Sequence, residues 1–371
     1  MGSRARGRST PVAADRRPRR RQWSPLERAI FIAVLATVMG SLFVATYSLA
    51  LGDPVPHHID VGIVGDPAAH PRAVDSVQRA AGGGLVLNRY ASVAAARRAL
   101  GEQNVYAALD LTSRPPTLYV ASAAGASVAR VLETASAAKP TVRLVDTHPL
   151  PRTDPNGLDI FYLMLVTTII GFLTVFQVRG NADGLGLRRW TEFVVGVAVC
   201  ASLVLTLVDG PLLHRLDLPV LESWGILALH LLAVASFTSL MSVLLGRWAI
   251  LPTWLFFVVL GNSSSGGAVS PPLLPQPLGF VSQWLPSGAT VTALRDAVYF
   301  GPYQHARPIA VLATWAAGLF AAMLLVSHRR GASPGRAHSD QDRAAGVAGV
   351  DRGFSWCRRP WTSRRPLRRT S

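Results

Sequence analysis

Residues 260–275 read LGNSSSGGAVSPPLLP and follow directly on the apolar run WAILPTWLFFVV. The apolar run from 248 to 261 is about 14 residues, short for a helix that crosses a bilayer straight. Pro252 inside it removes a backbone hydrogen bond. Asn262, three serines and Gly266-Gly267 then set irregular, polar backbone at the end of that run. Such backbone survives at membrane depth only when it is buried in protein or lines a wet cavity. The pattern predicts a broken or re-entrant element that rises into the membrane, stops at the patch and folds back along the outer interface. A plain external loop beginning at Gly261 is the simpler alternative. The downstream pieces FVSQWL and VTALRDAVYF read as short amphipathic or interfacial helices, with Trp284 and Tyr299 suited to headgroup depth.

The rest of the chain supplies the membrane context. Of 371 residues, 50% are hydrophobic and 16% charged; soluble domains carry about a quarter charged residues. The apolar residues gather in blocks. Residues 29–51 hold about 23 residues without a charge, enough to span as a helix. A cleaved signal peptide is the rival reading there, but its apolar core would be only roughly 7–15 residues long. Further spans are predicted at 158–178, 190–208, 223–245, 248–261 (the broken one) and 308–327. The fold class expected is a polytopic α-helical membrane protein of six spans with both termini inside.

Charge sets that orientation. The net charge is +16, but the arginines crowd a basic cytoplasmic tail, 1–28, and a second basic tail, 328–371, read as disordered. Basic ends beside apolar spans follow the positive-inside rule and argue against a nucleic-acid arm. The loops carrying Arg179, Arg188 and Arg189, then Arg247, then HRR after the last span, all fall inside in a six-span arrangement. Membrane lipid is therefore an expected partner and nucleic acid is not. A bacterial plasma membrane is the expected location.

Between the first two spans, 52–157 alternates strand and helix patterns. HIDVGIVG, LVLNRY, NVYAALDL, TLYVASA and TVRLVDTHPL read as strands; AVDSVQRAAGGG, SVAAARRALGE and ASVARVLETASAA read as helices. A small extracytoplasmic α/β domain is expected.

One helix, an outside domain and five more helices resemble the permeases of the ABC-2 exporter superfamily. Within it the chain is most similar to the phage-infection-protein (Pip/YhgE-like) branch. The matching residues are Gly266, Gly267, Pro271, Pro275, Leu285, Pro286, Leu294 and Arg295, a motif of about fifty residues; the outside domain is shorter than in many members. The resemblance implies export by a homo- or heterodimer driven by a separate ATP-binding subunit. The chain itself contains no nucleotide-binding motif. The loop bearing Arg179, Arg188 and Arg189 would then couple to that subunit, or serve only as an ordinary topogenic loop.

Polar residues inside the spans are the substrate-path candidates: His230, Ser239, Asn262, Ser263, Ser264, Gly266 and Gly267. His230 reads equally as a neutral histidine bonded to a neighbouring helix. Ser236, Ser239 and Ser242 read first as close-packing residues. Glu192 is expected to pair with the arginines just before it, and Asp159 to reach water at the outer interface. The nine histidines are scattered, the two cysteines, Cys200 and Cys357, are expected to be unpaired, and no catalytic constellation is present. No enzyme activity, cofactor or metal is expected. The alternative function is a cell-surface receptor or scaffold for an envelope or secretion complex.

Overall fold

The computed structural model describes residues 24–52, 56–137, 142–182 and 184–329. Most of the first basic tail and nearly all of the second lie outside these.

Helix α1 (Pro25–Leu51) starts where the sequence supplies a full capping signal. The Ser24 hydroxyl accepts from the Glu27 amide at 3.1 Å, and the Ser24 amide donates to the Glu27 carboxylate at 2.8 Å, satisfying two amides the helix leaves unpaired. Beyond that it is an apolar rod touched along one side. Phe31 meets Trp248 edge-on and Phe43 approaches Trp254.

A five-stranded sheet follows, in the order β2 (Leu85–Arg89), β1 (Ile59–Val64), β3 (Ala107–Asp110), β4 (Thr117–Val120), β5 (Arg143–Asp146). β1 is parallel to β2 and β3, with Val61 opposite Leu87 and Ala107. β3 and β4 form an antiparallel pair, and β4 is parallel to β5. β1, an interior strand between β2 and β3, is buried on both faces, which explains its near-continuous apolar run. Helices α2 (Pro71–Ala80) and α4 (Ala126–Ala137) pack together on one face. Helix α3 (Val93–Gly101) packs on the other through Ala96, Ala99 and Leu100.

Both cores of this domain are completed by residues from far along the chain. Leu273, fully buried, joins Ile59, Val61, Leu118 and Leu132 on the α2/α4 face. Phe300, also fully buried, joins Leu100, Val105 and Ala121 on the α3 face. The sheet domain is thus held between two inserted apolar side chains of the helical part. Polar bonds reinforce the join: the His57 amide to the Pro272 carbonyl at 2.7 Å, and Ser127 Oγ to Ser270 Oγ at 2.9 Å.

The helical part is built around α7 (Val220–Leu245), which packs against α5 (Asp159–Asn181), α6 (Leu187–Leu207) and α11 (Ala306–Arg329). Asp154 receives the amides of Leu158 and Asp159 at 2.9 and 3.0 Å and so caps the entry to α5. Gly171 on α5 lets that helix approach α7 closely, since a Cβ there would lie 2.8 Å from Val234. α6 continues through a wider π-turn, Val208–Leu212.

Among the described residues five stretches are long and apolar enough to cross a membrane: Pro25–Leu51, Asp159–Asn181, Leu187–Leu212, Val220–Asn262 and Ala306–Arg329. The fourth contains both the fourth and fifth predicted spans. Gly246, at φ +58°, ends α7, and the chain turns back as α8 (Ile250–Thr253) with a π-helical continuation, Trp254–Asn262. The continuation runs antiparallel to α7, since Phe256 stacks on Phe237 and Phe257 lies edge-on to His230. This returning limb is only about 20 Å long at helical rise.

Two expectations about neighbouring segments are overturned. VTALRDAVYF is no interfacial helix: it forms most of α10 (Pro286–Tyr299), whose Ser287, Thr290, Val291, Leu294 and Asp296 are all buried. α10 packs against α5, α7, α11 and the returning limb, and its small residues permit burial on several sides. Trp284 is exposed as expected, but the Tyr299 hydroxyl is buried. Asp159 does not reach water. It is 6% exposed and paired twice with Arg215, at 2.8 and 3.0 Å. A partner 56 residues away cannot be read from local pattern.

Candidate functional site at the serine–glycine break

The returning limb ends at Asn262, and the next residues are enclosed by protein. Asn262, Ser263, Ser264 and Ser265 are each no more than 2% exposed. The serines satisfy themselves locally: Ser263 Oγ donates to Val259 O, Ser264 Oγ to Leu260 O and Ser265 Oγ to Asn262 O. Hydroxyls bonded back to their own helix are satisfied without water.

Asn262 is different. Its side-chain amide makes no well-aligned hydrogen bond, and the Tyr47 hydroxyl of α1 is the group it interacts with at looser geometry. Ser287 on α10, close behind Gly261, also has an unpaired, buried hydroxyl. Buried polar atoms are normally well paired, so the Asn262 amide and the Ser287 hydroxyl stand apart from the self-satisfied serines beside them.

Beyond Asn262 the chain turns at Gly266, φ +74°. Arg295 from α10 donates through Nη2 to the Gly266 carbonyl at 3.0 Å. This contact anchors the irregular backbone to a helix. Gly267 lies against Phe161 of α5, where an added Cβ would come within 2.8 Å. Arg295, Tyr299, Gly267, Ser270, Ser122 and Ser127 enclose a polar cavity of about 10 Å³ at the junction with the sheet domain, room for about one water-sized sphere. Tyr106 of the sheet domain, facing Arg295, has its hydroxyl pKa pushed up to about 12 by burial, against the opposing pull of the Arg295 charge.

One residue further, Asp296 carries the rest of the junction. Fully buried, it accepts from Gln103 Nε2 of the sheet domain at 2.7 Å and from the His305 amide at 3.3 Å, and lies 3.2 Å from His305 Nδ1. Sequence reasoning named Arg295 only through a resemblance and missed Asp296. The available signal was an acid inside the otherwise small and apolar stretch ATVTALRDAV.

His230 is fully buried and bridges three helices. Its Nε2 lies 2.9 Å from Thr168 Oγ1 on α5, and its Nδ1 2.9 Å from Thr290 Oγ1 on α10. Thr290 already donates to Pro286 O at 2.7 Å. A neutral imidazole can donate from Nδ1 to Thr290, and the single Thr168 hydroxyl proton is then shared between His230 Nε2 and the Met164 carbonyl, 3.0 Å away. Thr168 and Thr290 were not singled out from sequence.

Ser239 is not part of this group. It sits about 13 Å further along α7, where its hydroxyl accepts from Trp190 Nε1 at 3.3 Å. The three loop arginines also separate. Arg179 is folded back onto the Trp190 ring at 5.0 Å and reaches the Ser239 carbonyl at 3.4 Å. Arg188 pairs with Glu192 at 2.9 Å, an exposed i,i+4 pair worth little to stability. Arg188 and Arg189 alone present an open surface.

The chain is a mostly helical protein whose long apolar helices mark it as membrane-embedded. Neither a family model, a curated protein nor a solved structure matches it.

Proposed function

We propose that this protein is a permease-like component of an ABC-2-type export system, set in the plasma membrane and driven by a separate ATP-binding subunit. The observation that carries the reading is the buried break at Asn262, where an apolar limb stops short and leaves a buried amide without a well-aligned partner inside a helical bundle. Interrupted helices at membrane depth are where membrane transporters bind cargo. The helix directions support a six-span path with both termini inside. α1 runs beside the returning limb in the same sense, and that limb runs antiparallel to α7. The sheet domain then lies outside, between the first two spans. The resemblance in the glycine–proline motif supports the ABC-2 assignment, and Arg188 and Arg189 would face the motor subunit.

A second reading is favoured by a specific observation. The patch serines all turn back onto their own backbone, as they would in a sealed bundle. On that reading the chain is a surface receptor or scaffold, and the sheet domain is its working part.

A mild-detergent pull-down of the tagged protein from its own membranes, with quantitative mass spectrometry, separates the two. A near-stoichiometric ATPase supports the exporter. Recovery with envelope proteins only, after cross-linking, overturns it in favour of the scaffold.

A further inference from the structure

An open concave feature of the helical part lies away from the break, on the outer face of α11. A groove of about 540 Å³ is lined by Trp284, Arg307, Thr314, Trp315, Gly318 and Leu319. A second pocket of about 210 Å³ adjoins it, lined by Gln283, Thr292, His305 and again Arg307. Both are mainly apolar, Gln283, Thr292 and His305 border the second, and Arg307 belongs to both.

The arginine is held in place. Its Nη2 donates to Gln283 Oε1 at 2.9 Å, and its guanidinium lies 4.8 Å from the Trp284 ring centroid. Gln283 is neutral, so among the described residues the charge meets no carboxylate. The groove wall is fixed too, since Trp315 Nε1 donates to the Trp284 carbonyl at 2.8 Å. Arg307 is the second residue of an apolar helix long enough to span, and from there the groove reaches Gly318 and Leu319. That is about 17 Å along the helix, close to one leaflet of a hydrocarbon core of about 30 Å. An exposed Trp beside it suits headgroup depth.

We propose that this pair of pockets is a binding site for one anionic glycerophospholipid. The phosphate lies against Arg307, the headgroup lies toward Gln283, Thr292 and His305, and one acyl chain fills the groove along α11. The planar guanidinium fork matches a phosphate's oxygens, and an apolar groove of this size with a few convergent polar groups is the ordinary form of a ligand site. A contrast within the molecule sharpens the assignment. A comparable groove of about 420 Å³ between α6 and α7 is lined by Val195, Leu221 and Gly225 but carries Glu222, which repels an anionic headgroup. The site does not depend on whether the chain exports or scaffolds.

The test is native mass spectrometry of the full chain in mild detergent, with added phosphatidylglycerol or phosphatidylcholine of the same acyl chains. One phosphatidylglycerol per chain is expected to be retained, about tenfold more readily than phosphatidylcholine, and Arg307→Gln is expected to remove that preference. Gly318→Leu fills the groove and lowers retention of both lipids. A Cβ at Gly318 meets nothing within 4 Å, so the substitution has no clash at its root. Gly225→Leu, equally unobstructed in the other groove, leaves retention unchanged. Equal retention of the two lipids, or retention indifferent to both Arg307→Gln and Gly318→Leu, overturns the proposal. So does a Gly318→Leu variant that changes a dimer to a monomer without changing lipid, which would assign the face to a second copy of the chain.

Discussion

Arg295 of α10 holds the carbonyl of Gly266 at 3.0 Å, across 29 residues of sequence. The turn it secures has a positive φ and packs against Pro271, so the break, the proline step and α10 form one unit.

Cutting that unit has a defined consequence. Arg295→Ala removes a charged donor from a largely enclosed carbonyl, and about 1.5–3 kcal/mol of stability is expected to go with it. Gly266→Ala forces a side chain into a left-handed turn 3.0 Å from Pro271, an expected loss of about 1–2 kcal/mol. Hydrogen exchange across residues 262–270 should rise in both variants while that of the sheet domain stays low. Unchanged exchange would show that the turn holds without Arg295.

Leu273 is the test of how the sheet domain is attached. It belongs to the helical part by sequence and to the sheet core by packing. Leu273→Ala leaves a cavity in a core that cannot fully collapse, an expected loss of about 2–5 kcal/mol. Limited proteolysis should then cut between 56 and 150 first. A variant that resists proteolysis like the parent would mean the domain stands without this insertion.

The same junction is expected to weaken in acid. The His148 ring lies 4.8 Å from the Phe300 ring at a tilt of 33°, and burial lowers its pKa below the ordinary 6.5, against an opposing pull from Asp146. The folded state therefore favours the neutral ring. Its contribution is present above about 6.5 and is lost as pH falls through the lowered folded value. Melting in detergent between pH 7.5 and 5 should show the decline, and His148→Phe should flatten it. An identical pH slope in His148→Phe would assign the decline to other groups.

Orientation has a labelling test. In a chain lacking Cys200 and Cys357, Ala91→Cys on the sheet domain should react with an impermeant thiol reagent from outside, and Ala182→Cys only after permeabilisation. Both positions are exposed. Ser122 is a poor reporter, because its hydroxyl accepts the Leu150 amide at 3.1 Å and lines the junction cavity. The opposite labelling pattern would reverse the orientation proposed above.

The sequence by itself determined the elements. Uninterrupted apolar blocks wrote α1, α5, α6, α7 and α11, because a helix is the form in which an apolar segment satisfies its own backbone. β-Branched strand runs and glycine-stopped helices wrote the strand–helix succession of the sheet domain, and the short run ending in LGNSSSGG marked where a limb stops. Tertiary structure alone decided which of these meet. Leu273 and Phe300 close the two faces of a sheet more than a hundred residues upstream, Asp159 finds Arg215, and His230 finds Thr168 and Thr290. It also separated Ser239 from the patch and folded Arg179 away from its loop. Local pattern reports whether a side chain prefers water or the interior. It carries no record of which distant partner satisfies a buried polar group, since that is fixed only when the helices pack.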